Sequence, residues 1–385
     1  MTVAVSTLRL GQFRSYTGGV LEPGAASVAL YGSNGAGKTN VLEALSLLTP
    51  GRGLRRAATE DLARRPDRLG WRIRAEAQTP DGLIEIVTGI TGETPSRTVE
   101  IDGKATTQTA LGHHLRMVWL TPAMDRLWME GASERRRFLD RITLGFTPSH
   151  AEASVAYEKA MRDRNRLLKE GRFDPAWLGG LEAQMARQGT RIACARAEAL
   201  TRLQAAENRS NSLFPKADLA ILGAMETRFW EVIRSAPNAD ADLDEIESEE
   251  AAGLAQALAD GRARDAAAGR TLEGPHRSDL EAIYAAKDMP ARACSTGEQK
   301  ALLISLILAN AQALAADGTP PVLLLDEVAA HLDQDRRAAL YAEIEALGCQ
   351  AWMTGTGPEL FDTLGADALR VEVTECDGAS QMVPA

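Results

Sequence analysis

Cysteine is scarce in this chain of 385 residues, and the four present, Cys194, Cys294, Cys349 and Cys376, lie far apart with no CxxC pair. That spacing excludes a zinc ribbon and a disulfide scaffold, and is what a reduced cytosolic protein is expected to show. Aromatic residues are few, at 5%. No run of about 18 apolar residues occurs, so a membrane span is not expected. The start, MTVAVSTLRLGQFRSY, lacks the basic, apolar and small-residue blocks of a secretion signal and reads as a strand from Val3 to Leu10. The expected location is the cytoplasm.

An excess of positive charge is also missing, since the formal net charge is −10. The distribution matters more than the sum. Residues 1–180 carry 25 Lys/Arg against 20 Asp/Glu, a net of +5, and residues 181–385 carry 18 against 33, a net of −15. Eight arginines and three acids fall between positions 51 and 75. Local fields decide where a phosphate backbone docks, so composition permits DNA binding without establishing it.

Gly32-Ser33-Asn34-Gly35-Ala36-Gly37-Lys38-Thr39 fits GxxxxGK[ST] at every fixed position. The apolar run Ser27–Tyr31 precedes it, and Val41, Leu42, Leu45 and Leu48 follow at helical spacing. A strand, a glycine turn and a helix start together aim backbone N–H groups and a helix dipole at one phosphate. Lys38 is expected to reach the β- and γ-phosphates of ATP, and the Thr39 hydroxyl to bind Mg²⁺. Far along the chain, the buried-strand pattern Val322–Leu325 ends in Asp326 and Glu327. Asp326 then holds Mg²⁺ through water, and Glu327 polarises the attacking water as a general base.

Ser295-Thr296-Gly297-Glu298-Gln299 opens a strongly apolar helix, Lys300 to Leu314. Ser295 with Glu298 makes an S-x-x-E capping box, which accounts for both residues locally. The segment also resembles the ABC signature, in which serine and glycine grip the γ-phosphate of ATP bound to the opposite subunit. The two readings are compatible, because a helix N-terminus leaves free N–H donors. The second implies two nucleotides sandwiched in a homodimer.

The remaining pattern is of antiparallel strands at Trp71–Gln78, Leu83–Ile90 and Thr98–Ile101, turned at Asp81-Gly82 and Asp102-Gly103, with a short strand at Val118–Leu120. From Met124 to Gly269 alanine, leucine, arginine and glutamate dominate and helix is expected, with an exposed acidic patch at Asp240–Glu250. A helix from Asp335 stops at Gly348, and Gln350–Met353 is expected to supply the last strand. The expected fold is α/β: a P-loop ATPase head of ABC/SMC type built from both chain ends, 1–123 and 270–385, around a mainly helical insertion, 124–269.

Six segments then carry a more specific resemblance, covering nearly the whole chain. They are Leu8 to Tyr16 (LRLGQFRSY), Gly32 to Glu43 (GSNGAGKTNVLE), Gly131 to Asp140 (GASERRRFLD), Arg162 to Leu168 (RDRNRLL), Gly274 to Leu280 (GPHRSDL) and the Ser295 signature. In this order they resemble the RecF family of DNA-repair ATPases. The resemblance implies an SMC-like head that dimerises on ATP, binds DNA at single-strand gaps or junctions and hydrolyses ATP slowly. It also implies work with RecR and RecO to help load RecA. Departures are Gln12 and Ser15 where asparagine is usual, Glu298 for glutamine, and His331-Leu332-Asp333 for E-L-D, which leaves Asp333 as the D-loop carry-over. Thr354-Gly355-Thr356 stands where transporters have a switch histidine, and no Q-loop glutamine lies near Leu120-Thr121-Pro122. Those two gaps argue against the alternative, the ATPase subunit of an ABC transporter, and leave γ-phosphate sensing without a residue.

Candidate DNA contacts are Arg52, Arg55 and Arg56, with Arg64, Arg65 and Arg68 beyond them, and a second cluster of Arg135, Arg136 and Arg137. Arginine forks suit phosphate oxygens, although such residues also face water on any soluble helix. With few aromatics between them, backbone recognition is expected rather than base stacking.

Overall fold

The computed structural model describes residues 3–65, 69–91, 96–171, 173–235 and 243–385. The chain divides into two compact units, one of Met1–Asp125, Ser210–Pro215 and Thr296–Ala385, the other of Arg126–Arg209 and Lys216–Ser295.

The first unit holds two six-stranded sheets. One is antiparallel and comprises β1 (Ala4–Phe13), β2 (Tyr16–Leu21), β4 (Gly70–Thr79), β5 (Gly82–Thr91), β6 (Thr98–Ile101) and β7 (Lys104–Thr106), in the order β2-β1-β4-β5-β6-β7. Its strands alternate as a half-buried sheet requires: Trp71, Ile73, Ala75 and Ala77 of β4 are buried while Arg72, Arg74 and Gln78 are exposed. The β6–β7 turn places Asp102 at φ 50° and Gly103 at φ 74°, the two left-handed residues that a tight right-twisted hairpin needs.

The other sheet comprises β3 (Val28–Tyr31), β8 (Met117–Leu120), β12 (Val322–Leu325), β13 (Ala351–Gly355), β14 (Leu369–Cys376) and β15 (Ala379–Pro384). Its order is β15-β14-β3-β13-β12-β8, parallel except where β15 turns back on β14. Parallel strands covered on both faces read as continuous apolar runs, and the VLLL of β12 is buried throughout. The strand expected to be last, β13, is followed by β14 and β15. Val371 and Val373 of β14 are buried beside β3, where β14 adds as a parallel neighbour.

Among the described residues this unit has the α-helices α1 (Lys38–Ser46), α8 (Thr296–Ala316) and α9 (Gln334–Ala346). By length and composition α8 passes as a membrane span, yet 83% of its most apolar window is buried inside the protein. Apolar residues all round a helix are what a central core position requires. Past the end of α9, Gly348 takes φ 64°.

The second unit contains α2 (Ala132–Phe146), α3 (His150–Lys169), α4 (Pro175–Arg209), α5 (Ala224–Ser235), α6 (Leu243–Asp260) and α7 (Arg262–Ala268). It also has a three-stranded antiparallel sheet of β9 (Ala217–Leu222), β10 (Asp279–Tyr284) and β11 (Met289–Pro290), ordered β11-β10-β9. Two expectations change here. Strand β9 interrupts the stretch read as helical, with Ala217, Leu219 and Ile221 alternating inward among residues whose composition favours helix. And residues 270–295, placed by sequence with the ATPase half, belong to the second unit, because β10 pairs with β9 over six residues. Of the acidic patch, 243–250 lies at the start of α6, and 240–242 lie outside the described residues.

Candidate nucleotide-binding and hydrolysis site

The phosphate loop runs from the end of β3 to the start of α1. Gly32 leaves the strand at φ 144°, and a Cβ there would lie 2.2 Å from Val373 O of β14, so only glycine fits. Gly37 is the N-cap of α1 at φ 109°, and a Cβ would meet Ser380 Oγ and Ser15 Oγ. No side chain caps α1, which leaves its first N–H groups available to an anion.

The outside of the loop is held by residues distant in sequence. Tyr16 donates to Gly37 O at 3.1 Å, and Ser380 Oγ lies 2.6 Å from Ala36 O. The Ser380 N–H donates to Ser15 O, and Asn40 Nδ2 donates to Ser15 Oγ at 2.7 Å. Burial pushes the Tyr16 hydroxyl well above its ordinary pKa, so it stays a neutral donor.

Sheet order then brings the reactive groups together. Strand β13 lies between β3, which feeds the loop, and β12, which ends in Asp326 and Glu327. All three are parallel, so their C-terminal ends open on one edge, where ligands bind in α/β sheets. Lys38 donates to Gly32 O and Ser33 O, both at 2.8 Å. Burial lowers its pKa, opposed by the nearby charges of Glu327 and Asp326. Asp326 Oδ1 accepts from Thr39 Oγ1 and from Thr354 Oγ1, each at 2.8 Å. The Glu327 N–H donates to Thr354 Oγ1 at 2.9 Å, and Glu327 itself sits at φ 53°. Left-handed backbone in a non-glycine residue is a local strain of the kind found at reacting sites.

Among the described residues no group of three or more His, Cys, Asp or Glu could cage a metal by itself. A hydroxyl and a carboxylate, Thr39 and Asp326, are nonetheless two hard oxygen donors in mutual contact. That partial set fits Mg²⁺, which keeps waters and takes its other ligands from substrate phosphates.

Ser295 and Gly297 are exposed where α8 begins, and a Cβ on Gly297 would meet nothing within 4 Å. Asp333 is the N-cap of α9 and accepts from the Arg336 N–H at 2.8 Å. The first arginine cluster is divided. Arg52, Arg55 and Arg56 are all exposed, and Arg55 also donates to Asn40 Oδ1 at 2.7 Å and approaches the fully buried Glu43. Arg64 donates to Ser15 O and Gly378 O, Arg65 pairs with Asp61, and Arg68 lies outside the described residues. The second cluster is tied up inside its own unit. Arg135 forks onto both carboxylate oxygens of Asp279 at 2.8 and 2.7 Å, Arg136 donates to Ser278 O at 2.6 Å, and Arg137 pairs with Glu134. The Arg135 and Arg136 bonds tie α2 to the start of β10, whereas Arg137 is exposed and pairs within its own helix.

Sequence reading missed three participants. Thr354 was noted only as standing where a histidine is absent. Ser380 had no signal. Glu43, buried on α1, receives a bidentate Arg14 at 2.8 and 2.7 Å and so anchors the loop helix to the β1–β2 turn.

Comparison with known proteins agrees with this construction. The family model described as the RecF/RecN/SMC N terminal domain matches residues 4–374. Over 373 residues the chain is 50% identical to the DNA replication and repair protein RecF of Rhizobium rhizogenes, covering 95% of this chain and 96% of that protein. The RecF of Agrobacterium fabrum is 49% identical over the same shares. Among solved structures, the recombination mediator protein RecF-ATP of the RecFOR pathway superposes with a TM-score of 0.80 at 24% identity, covering 99% of this chain and 98% of the other. An Smc head bound to the C-winged helix domain of ScpA gives 0.53 at 16% identity over 99% and 97%. The fold is thus the ABC/SMC-type ATPase head, and with about half its residues shared with curated relatives over nearly its full length, the chain belongs to the RecF family.

Proposed function

We propose that this protein is an ATP-driven switch of recombinational gap repair, which dimerises on DNA when ATP binds and resets by slow hydrolysis. The observation that carries the reading is the meeting of the loop and the acidic strand end on one edge of a parallel sheet: Thr39 donates to Asp326 at 2.8 Å, Thr354 links Asp326 to the Glu327 N–H, and Lys38, bonded to two loop carbonyls, feels the charges of both acids. The relatives' name, DNA replication and repair protein, and the RecFOR pathway of the solved RecF support DNA, RecO and RecR as partners; help in loading RecA is what the family resemblance implies.

In this mechanism the triphosphate lies along Gly32–Thr39, and Lys38 exchanges two backbone carbonyls for phosphate oxygens. Thr39 and Asp326 hold Mg²⁺, which when bound neutralises charge on the β- and γ-phosphates. Glu327 orients a water and takes its proton as the water oxygen bonds to the γ-phosphorus. The bond to the bridging oxygen breaks, and ADP leaves with that electron pair. Ser295 and Gly297 of a second copy close over the γ-phosphate, with Asp333 at the dimer seam. This explains why the signature is exposed in a single chain. The net positive half of the sequence supplies non-specific attraction to DNA. A transporter subunit is not favoured, because Thr354 and Gly355 end the strand where that class needs a histidine.

The test is ATPase rate against protein concentration, with and without a gapped duplex, at two salt concentrations. A specific rate that climbs with concentration, and climbs further with DNA at low salt, supports a composite site on DNA. A rate indifferent to both removes dimerisation and DNA from the mechanism.

A further inference from the structure

The absence of a switch histidine at Thr354-Gly355-Thr356 leaves a question that the geometry of β13 addresses. We infer that Thr354 is a positioning residue that couples occupancy of the phosphate loop to the aim of Glu327, doing for this chain what a switch histidine does elsewhere. The inference rests on the ATPase reading above.

A threonine hydroxyl has one proton to donate and lone pairs to accept with. Thr354 uses both at once. Its proton goes to Asp326 Oδ1 at 2.8 Å, and its oxygen takes the Glu327 N–H at 2.9 Å. The residue is 1% exposed, on a strand otherwise made of Ala351, Trp352, Met353 and Gly355, where valine would satisfy packing alone. A buried hydroxyl costs stability unless it is bonded, and here it is bonded on both sides.

Each bond reaches a group with a task. The amide it holds belongs to Glu327, whose φ of 53° needs an external restraint to persist. The carboxylate oxygen it holds is the same Oδ1 that accepts from Thr39. When Thr39 turns its oxygen toward a phosphate-bound cation, Oδ1 loses that donor, and the Thr354 bond must shorten or shift. The change passes from Thr39 through Asp326 and Thr354 to the backbone of Glu327 without any large movement. The next position is closed to the usual device. A Cβ on Gly355 would lie 2.9 Å from Leu360 Cδ1 and from a Phe361 ring carbon, so a histidine there requires both to move.

The experiment measures ATP binding with a fluorescent ATP analogue, and KM and kcat for ATP, in wild type, Thr354→Val and Thr354→Ser, with folding checked by thermal melting. Valine keeps the shape and deletes both bonds, so kcat is expected to fall about 10- to 100-fold through misplacement of Glu327. ATP affinity should stay within about twofold, because no ground-state contact to phosphate is removed. Serine restores the hydroxyl and is expected to hold kcat within about threefold of wild type. A merely structural role lowers the melting temperature without this split. Wild-type kcat in folded Thr354→Val, or a raised KM at unchanged kcat, overturns the relay. Should the valine variant fail to fold, Thr354→Ser and Thr354→Cys carry the test, since both lack the methyl and differ in hydrogen-bond strength. Serine well above cysteine in kcat supports the relay, and equal values overturn it. If wild type itself neither binds nor hydrolyses ATP, the ATPase reading falls and the relay with it. A failure confined to the variants leaves that reading intact.

Discussion

The buried arginines of the second unit and the loop lysine of the first are partnered in opposite ways. In the second, Arg164 is completely enclosed and has a partner for every side of its guanidinium: Glu182 at 3.0 Å, Asp265 at 2.7 Å, Thr271 at 3.0 Å and Leu258 O at 2.7 Å. Arg196 is treated alike by Asp140, Glu226, Ser278 and Pro275 O. In the first unit Lys38 is also buried, yet its resolved hydrogen bonds go to two neutral carbonyls, with Asp326 and Glu327 acting on it only through their charge, and Asp326 accepts only from neutral hydroxyls among the hydrogen bonds resolved for its side chain. A buried cation ringed by carboxylates has nothing to gain from a ligand. One resting on exchangeable neutral partners does, because phosphate offers charge where the protein offers dipoles. Glu43 of the first unit, with its Arg14 fork, follows the second unit's rule, and it sits just behind the loop it steadies. Completeness of the shell therefore separates charges that hold the fold from charges that await a substrate.

The largest effect is expected at Lys38. Lys38→Met should abolish ATP-driven assembly at saturating ATP while moving the urea midpoint little, since only neutral partners are released; full assembly would assign loop function elsewhere. Next comes Glu327→Gln, for which the general-base role predicts a fall in kcat of about 10²- to 10⁴-fold. An ATP-bound dimer should accumulate, read by light scattering, and hydrolysis at the wild-type rate would remove Glu327 from the mechanism. The second unit should respond in stability instead. Arg164→Met leaves Asp265 without its buried cation and Glu182 with Arg262 alone, and should cost about 3–5 kcal/mol in urea unfolding, with ATP affinity of the folded protein unchanged. A cost below about 1 kcal/mol would show that the shell relaxes freely and would break the contrast. The smallest effect separates the two arginine clusters. Arg52→Ala should reduce the slope of log K for DNA against log salt by about 0.9, as one lost phosphate contact does. Arg135→Ala should leave that slope alone and lower the melting temperature, because its fork is spent on Asp279. The reverse pattern would return the second cluster to the DNA surface.

What could be read in advance follows from how local each signal is. The loop Gly32–Thr39 and the strand end Asp326-Glu327 announce themselves because strand, turn and helix start are set by adjacent residues. Hairpin turns such as Asp102-Gly103 are legible for the same reason. Strand β9 was not, since Ala217–Leu222 has a period of two only when its neighbour β10 is known, and that partner lies across three helices of sequence. Residues 270–295 went to the wrong half of the chain on the same account, their allegiance being decided by that pairing.

The arginines and Thr354 mark the boundary most clearly. Sequence shows that Arg135, Arg136 and Arg137 are charged but not that Asp279 and Ser278 stand opposite, so it cannot tell a docking patch from an internal tie. Thr354 reads as the polar residue of an apolar strand. Its meaning comes from the order β3-β13-β12, which sets a hydroxyl from one strand between the carboxylate and the amide of another. Family, nucleotide loop and acidic pair are legible from local order alone, because backbone conformation and motif spacing are properties of neighbouring residues. Which charges are closed and which are open emerges with folding, because hydrogen-bond completeness depends on atoms that the chain brings together from hundreds of residues apart.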